Sequence, residues 1–382
     1  MEVLTAGKIP FYLILHGACK RMKKIDIYII KQYLGSFFFT MLLITMMAVV
    51  IDFSEKIGKF IDADLSIWKV LSEYYLNFIP WINGLMWPLF SLIAVIFFTS
   101  RLAKNSEILA VLSSGVSFNR LMVPYIIAGS IIASLLWVGK NYVIPKSSKV
   151  KNDFEYEHLS KKHQKTINND IHIFLNPDEK IFIRYYRKRD TSGQTFRLES
   201  FEDGKLKRLI KAEQLIFKES PNTWTMKNYE VRTFDGLSER VESYPKAELD
   251  TILDLTPEDF VRNTKSMENM STRDLKAYID RRRGRGMDAA KNFLVQLHQR
   301  NAGPFSILIL TLIGAAIASR KVRGGMGLHL ALGVIIGAAY VVLSQFSSTF
   351  AINMSMSPML GAWFPNLIFA FVALILMGFS QK

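Results

Sequence analysis

Few side chains in this sequence are placed to do chemistry, and those few are cations at the ends of long apolar runs. Lys56 and Lys59 follow one run, Lys140 closes another and Arg300 opens a third. A cation at such a depth can snorkel, laying its methylenes on apolar surface with its charge in the polar rim. It can also line a vestibule for an anionic amphiphile. Arginine grips a phosphate through two parallel N–H bonds, whereas lysine acts as a point charge. Taken singly, each residue is read more readily as snorkelling. As a set, Lys56, Lys59, Lys140 and Arg300 are candidate substrate contacts.

Other chemistry is missing. The chain has no GxxxxGK[ST] phosphate loop, so it is not expected to bind or hydrolyse ATP itself. It has no H-E-x-x-H, and His163 and His172 fall in a polar segment where a solvated role is the simpler reading. The one cysteine, Cys19, leaves no internal disulfide and no cysteine-based metal site. Ser271, ahead of Lys276, reads as a helix cap and not as a nucleophile. No ionisable residue lies deep in the second, fifth or sixth apolar run, which argues against a proton or cation pathway. No catalytic residue, metal site or cofactor is expected on this chain.

One further motif calls for a partner. Residues 106–115, "SEILAVLSSG", lie between two apolar runs and are patterned as a complete short helix. Ser106 fits an N-cap, and Glu107 places an acid at the positive end of the helix. Ile108, Leu109, Val111 and Leu112 form an apolar stripe, and Gly115 stops the helix after Ser114. So short a helix is marginal alone in water and needs packing. It either lies on lipid or docks into a groove on a separate protein, and the residues by themselves leave the two even.

The elements that position these residues are spans. A helix crosses the ~30 Å hydrocarbon core with about 20 apolar residues. Six runs qualify: 29–53, 76–100, 119–144 ending at Pro145, a fourth centred on 302–319 and starting near 289, 328–348 and 359–379. Pro80 and Pro88 predict kinks or irregular backbone in the second. Small residues in "GAAIAS" and "GVIIGAAY" predict close helix contacts in the last three. The chain of 382 residues has a net charge of +15. Much of that excess is topology and does not mark a nucleic-acid partner, because Lys and Arg gather at cytoplasmic ends. Lys20, Arg21, Lys23, Lys24 and Lys31, then Arg101, Lys104 and Arg120, then Arg320, Lys321 and Arg323 place both termini and the 106–115 helix in the cytoplasm. The loop "STFAINMSMSPMLG" carries no charge and belongs outside.

The segment 146–262 reads as an outside β-domain. "DIHIFL", "KIFIRYYR", "TFRLESF", "LKRLIKAEQLIF", "TWTMKNYEVRTF" and "DTILDL" are strand-like runs separated by turn signals such as "DTSG", "EDG" and "FDG". Many short strands at this spacing point to a sandwich, jelly roll or open barrel. Residues 263–288 form an amphipathic connector, with "STRDLKAYIDRRR" as a capped helix leading to spans four to six in 289–382. At the other end, residues 1–24 form an extension ahead of spans one to three (25–145). Cys19 after "LHGA" faintly resembles a lipoprotein cleavage site, but "KRMKK" favours cytoplasmic retention. Met22 opens "MKKIDIYIIKQY", a natural start.

Several stretches are similar to the lipopolysaccharide-export permease family (LptF/LptG, YjgP/YjgQ). They are "IDIYIIKQYLGSFFFTM", "SRLAKNSEILAVLSSGVSFNRLMVP", "NYVIPKSSKVKNDF", "LTPEDF", "MSTRDLKAYI" and "HQRNAGPFSILILTLIGAAIAS". The resemblance runs from Met22 to the end. It implies an α-helical membrane protein of six spans, three plus three, with an inserted all-β periplasmic domain of jelly-roll type. It also implies one half-permease of an ABC exporter, paired with a second related half-permease and a cytoplasmic ATPase dimer that holds ATP-Mg. The β-domain would pass lipopolysaccharide to a periplasmic bridge protein. The helix of Glu107, Ile108, Val111, Leu112, Ser114 and Gly115 would meet the ATPase. In the family the outer half of span one binds substrate phosphates. Here Asp52 stands where a cation is expected. Rival readings are a permease for lipoprotein or phospholipid, a lipid-modifying membrane enzyme and a scaffold. The six-span plan argues against the first and the lack of a convergent nucleophile and base against the second.

Overall fold

The computed structural model describes residues 23–159, 167–187, 190–219, 222–255, 257–260, 266–284, 291–320 and 325–380. His163 and residues 1–22 lie outside them. The described residues form two compact units: those within 23–58, 75–147 and 295–380 in one, and those within 59–74 and 148–294 in the other.

Among the described residues, six helices are long and apolar enough to cross a membrane. They are α1 (Lys24–Asp62), α2 (Ile67–Lys104), α4 (Phe118–Leu159), α7 (Lys291–Ala318), α8 (Gly325–Asn353) and α9 (Pro358–Ser380). The short α3 (Glu107–Ser113) lies between α2 and α4. All six expected spans are present, but the third does not stop at Pro145: its helix runs on to Leu159. Proline lacks an N–H, and its ring clashes with the carbonyl four residues back. Residue 141 falls in a π-helical turn, Gly139–Val143, whose wider spacing absorbs both defects. A similar wide turn, Val70–Tyr75, ends just before Leu76, four residues ahead of Pro80. The irregularity predicted for the second span therefore lies upstream of its prolines, and helix continues unbroken through Pro80 and Pro88.

In the first unit, the core joins Ile29, Tyr33 and Phe37 of α1 to Phe90, Val95 and Phe98 of α2, Tyr125 and Ile132 of α4, and Leu310 and Ile313 of α7. Glycines set the close approaches. A Cβ on Gly314 would lie 2.5 Å from Val95, one on Gly333 would lie 2.3 Å from Ile96, and one on Gly361 would lie 2.2 Å from Ala351. These are the small-residue contacts that the last three spans predict. Among the described residues Trp87 Nε1 and His329 Nε2 are buried without a hydrogen-bond partner, but other polar side chains inside this unit are bonded. Tyr33 Oη lies 2.6 Å from Ser91 Oγ and 2.7 Å from Thr311 Oγ1. Thr45 Oγ1 donates to Asn83 Oδ1 at 2.6 Å, and Tyr340 Oη to Asn366 Oδ1 at 3.0 Å.

The second unit holds one antiparallel sheet in the order β1-β2-β3-β4-β5-β6, each strand paired with its sequence neighbours. The strands are β1 (Ile167–Asn176), β2 (Glu179–Arg187), β3 (Ser192–Glu202), β4 (Lys205–Glu219), β5 (Thr223–Asp235) and β6 (Ser238–Ile252). β6 covers far more than the expected "DTILDL". Its run "SERVESYPKAEL" has little apolar alternation because β6 is an exposed edge, where charged residues and Pro245 are tolerated. The predicted "EDG" turn has Asp203 and Gly204 both at positive φ, as a tight hairpin requires.

A crease crosses the sheet. Pairing skips one line of residues in every ladder: Asp170, Arg184, Thr195, Glu213, Asn228 and the Pro245–Ala247 stretch. Asp170, Thr195, Asn228 and Lys246 have φ of 52°, 56°, 51° and 65°. Asn228 holds the line together, donating to Glu213 at 2.6 Å and accepting from the Lys246 backbone N–H at 2.9 Å. An extra residue shifts side-chain alternation by one. Buried positions therefore run Ile181, Ile183, then Tyr186; Gly193, then Phe196, Leu198; Ile210, Ala212, then Leu215. The spacing of three at the crease keeps one face apolar along the whole strand.

That face is closed by Leu253, Leu255 and Phe260, which gives "LTPEDF" a structural role. Trp224 Nε1 donates to the Leu255 carbonyl at 3.1 Å, and the Phe260 ring packs on Trp224 and Tyr186 at 5.5 and 4.6 Å. Downstream, α5 (Ser266–Asn269) and α6 (Thr272–Gly284) follow. Ser271 caps α6 as expected, accepting from the Asp274 N–H at 3.2 Å and donating to the Asp274 carboxylate at 2.6 Å. His172 packs on Phe182 across the ladder, with centroids 4.8 Å apart, and the described residues contain no metal-ligating cluster.

Two outcomes are expected. Trp224→Ala removes a fully buried side chain and a bonded donor, and should cost about 3–5 kcal/mol in unfolding of the β-unit, read by denaturant melts of the purified chain. Deleting Asn228 should turn Tyr229 and Val231 to the opposite face and make the β-unit protease-sensitive. Deleting Leu237 in the exposed β5–β6 turn should leave the β-unit resistant.

Candidate functional site

The widened turn that accommodates Pro145 also carries Lys140. Its ammonium rests against α7: a Cβ on Gly303 would fall 2.4 Å from Lys140 Nζ. Gly303 is three residues from Arg300, so the two share a helix face, and Arg300 is only 3% exposed. The cluster is framed by polar groups of the same two helices. Trp137 Nε1 donates to Asn301 Oδ1 at 3.3 Å, and Asn141 Nδ2 to the Trp137 carbonyl at 2.8 Å. Pro304 frees the Arg300 carbonyl from its helical bond. Two residues further on, Asn366 Nδ2 donates to the Ala302 carbonyl at 2.7 Å.

The charge acting on Lys140 is that of Arg300, of like sign. Two cations held together in a low-dielectric setting repel, and an anion bound between them would be stabilised by both. A guanidinium and an ammonium together suit a phosphate, the first as a planar fork and the second as a point charge.

The other two candidate cations are placed differently. Lys56 Nζ donates to Asp52 Oδ1 at 2.7 Å, one turn back on α1. Tyr75 Oη donates to the other Asp52 oxygen at 3.2 Å. Lys56 also lies over the Phe78 ring, 6.0 Å from its centroid. Asp52, the departure noted in the sequence, thus offsets the charge of Lys56. Lys59 is exposed and belongs to the second compact unit. Gly303, Trp137 and Asn301 escaped the sequence reading. The available signal was a glycine one turn after Arg300, directly before a proline.

The short helix α3 forms as patterned, with one difference at its start. Ser106 occupies the N-cap position but has a left-handed backbone, φ 62°, and its hydroxyl makes no capping bond. Only Asn105 and Ser106 separate α2 from α3, so the chain must reverse within two residues and cannot take the extended cap conformation. Asn105 Nδ2 instead donates to Glu107 Oε1 at 3.1 Å. Gly115 ends the element at φ 86°, its N–H bonded to the Leu112 carbonyl at 3.1 Å. Ile108 is buried in the core of the first unit, and Val111 and Leu112 pack against it. Leu109 is 65% exposed, and Ser114 and Gly115 are exposed. Beside α3 is a groove of about 380 Å³ lined by Ala103, Ser106, Ile108, Leu109, Leu112 and Arg320.

A family model described as lipopolysaccharide export system permease LptF/LptG matches residues 27–378. The chain is also similar to the lipopolysaccharide export system permease protein LptG of Haemophilus influenzae. The two are 21% identical over 360 residues, covering 90% of this chain and 95% of that protein. Matched from its first spanning helix to its last, the chain belongs to the LptF/LptG family, as a multi-pass inner-membrane permease subunit of lipopolysaccharide export.

Proposed function

We propose that this chain is one half of an ATP-driven exporter, working with a second, related half-permease and a dimer of cytoplasmic ATPase subunits that bind ATP-Mg. The observation that carries the reading is α3, a finished helix with Ile108 anchored in the core, Leu109 exposed and Glu107 half-buried in its first turn. The chain has no phosphate loop, so energy must enter through a contact of this kind. The cationic flanks Lys23, Lys24, Arg101, Lys104, Arg120 and Arg320 favour a cytoplasmic location for α3 and both termini, with the β-domain periplasmic.

Lipopolysaccharide enters laterally between the two half-permeases. The least covered spans support that surface: 11% of the apolar window of α1 and 17% of that of α8 are buried, against 56% for α2. The Lys140–Arg300 cluster holds a headgroup phosphate. Closure of the ATPase dimer pushes on α3 and collapses the cavity, and the β-domain passes the lipid to a periplasmic bridge protein. External work is needed because each acyl CH₂ exposed to water costs about 0.8 kcal/mol.

Glu107→Arg should reduce ATPase co-purification with the permease by roughly tenfold and abolish complementation. Unchanged pull-down would remove α3 from the interface. Gly303→Val should displace the Lys140 ammonium while leaving the melting temperature nearly unchanged. Like Lys140→Ala combined with Arg300→Ala, it should weaken lipopolysaccharide binding about tenfold, the effect of losing one or two charge-assisted bonds. Crosslinking to lipopolysaccharide in detergent-solubilised complex measures this.

A further inference from the structure

One ion pair has no part in the scheme above. Arg120 Nη1 donates to Asp26 Oδ1 at 2.9 Å, and Nη2 to Asp26 Oδ2 at 2.5 Å, a parallel two-bond grip. The Lys23 backbone N–H adds a third bond to the carboxylate at 2.9 Å. The Asp26 side chain is 6% exposed and that of Arg120 is 39% exposed. A carboxylate so enclosed is costly to strip of its partner, because the uncompensated charge stays buried.

The pair joins the start of α4 to the start of α1. Arg120 is in the first turn of α4, whose N-terminus is fixed by Ser117 Oγ accepting from the Arg120 N–H at 3.3 Å. Only Ser114–Ser117 separate α3 from α4, and Gly115 turns that link in a left-handed conformation. Displacement of α3 is therefore delivered to Arg120 through a very short tether. Asp26 is in the first turn of α1. Near this end α1 touches the core by a single stripe, with Asp26, Ile29, Tyr33 and Phe37 buried. A helix with so narrow a packed face takes its position from its polar ties.

We propose that Asp26–Arg120 is the joint that carries motion of α3 to α1, so that the first span moves with the start of the third. Both are positioning residues for transport and neither touches the lipid. The inference rests on the reading that α3 receives force from an ATPase. Its rival is a structural clip that merely holds two helices together. The rigid two-bond geometry and the closeness of Arg120 to the α3 link favour the joint.

The test uses the whole complex, with both half-permeases and the ATPase, in proteoliposomes containing lipopolysaccharide. ATP hydrolysis, lipopolysaccharide released per ATP and ATPase co-purification are read together. Asp26→Asn and Arg120→Gln should leave co-purification and hydrolysis near wild type, and should lower release per ATP roughly tenfold, the scale of a coupling between sites. The exchange of Asp26→Arg with Arg120→Asp should recover much of that loss. If the exchanged chain does not assemble, Arg120→Lys decides: release between wild type and Arg120→Gln supports the joint, and release equal to Arg120→Gln overturns it. An unchanged ratio in both single variants overturns it, as does a ratio lost only together with the ATPase. If the wild-type complex releases no lipopolysaccharide on ATP addition, the export reading fails, and the joint with it.

Discussion

Hydrocarbon offers no partner to a bare N–H or C=O, and that constraint governs most of this molecule. Each spanning segment must satisfy its own backbone, so the apolar runs form helices. Where proline removes a donor, the defect is absorbed locally. The widened turn at Gly139–Val143, ahead of Pro145, is such a solution. It has a chemical consequence: the turn that accommodates Pro145 also directs Lys140 onto Gly303, beside Arg300. A backbone repair thus helps to place the charge best suited to hold an anion.

The same rule applies to side chains. Tyr33, Thr45, Asn83 and Asn366 lie inside the first unit, and each bonds a neighbouring helix. With lipid tails as apolar as leucine, burial alone gives helices little reason to associate. Small residues allow close approach, and bonded polar groups fix register. For α1 this balance is extreme. Little of its apolar window is covered, and Asp26, Tyr33, Thr45 and Asp52 tie it to other helices along its length. A helix held in this way can be repositioned without repacking a broad interface, which suits a transporter.

The β-domain solves a different problem. A six-strand sheet with one apolar face must bend to close over that face, and a flat sheet does not. The crease runs in step through β1 to β5, where the register is the same on both sides of it, and along β2, β3 and β4 the buried positions resume one residue later than a strict period of two. The spacing of Ile210, Ala212 and Leu215 records this, but it reads as noise in a single strand. Only alignment of the five ladders turns it into a line.

The resemblance to a family came from particular motifs such as "SRLAKNSEILAVLSSGVSFNRLMVP", whereas composition and periodicity alone determined the six spans, the inserted β-domain and the helix at 106–115. Each depends on local rules: apolar length against bilayer thickness, alternation, and stop signals. The tertiary structure decided what required distant residues to meet. It brought Lys140 to Arg300 across two helices, tied Lys56 to Asp52 and Tyr75, and gave Ser106 a left-handed turn in place of a capping bond. It extended the third helix past Pro145 and made an edge strand of a polar run. These outcomes turn on which side chains become neighbours in space, and side-chain pairing across helices leaves no period in the chain.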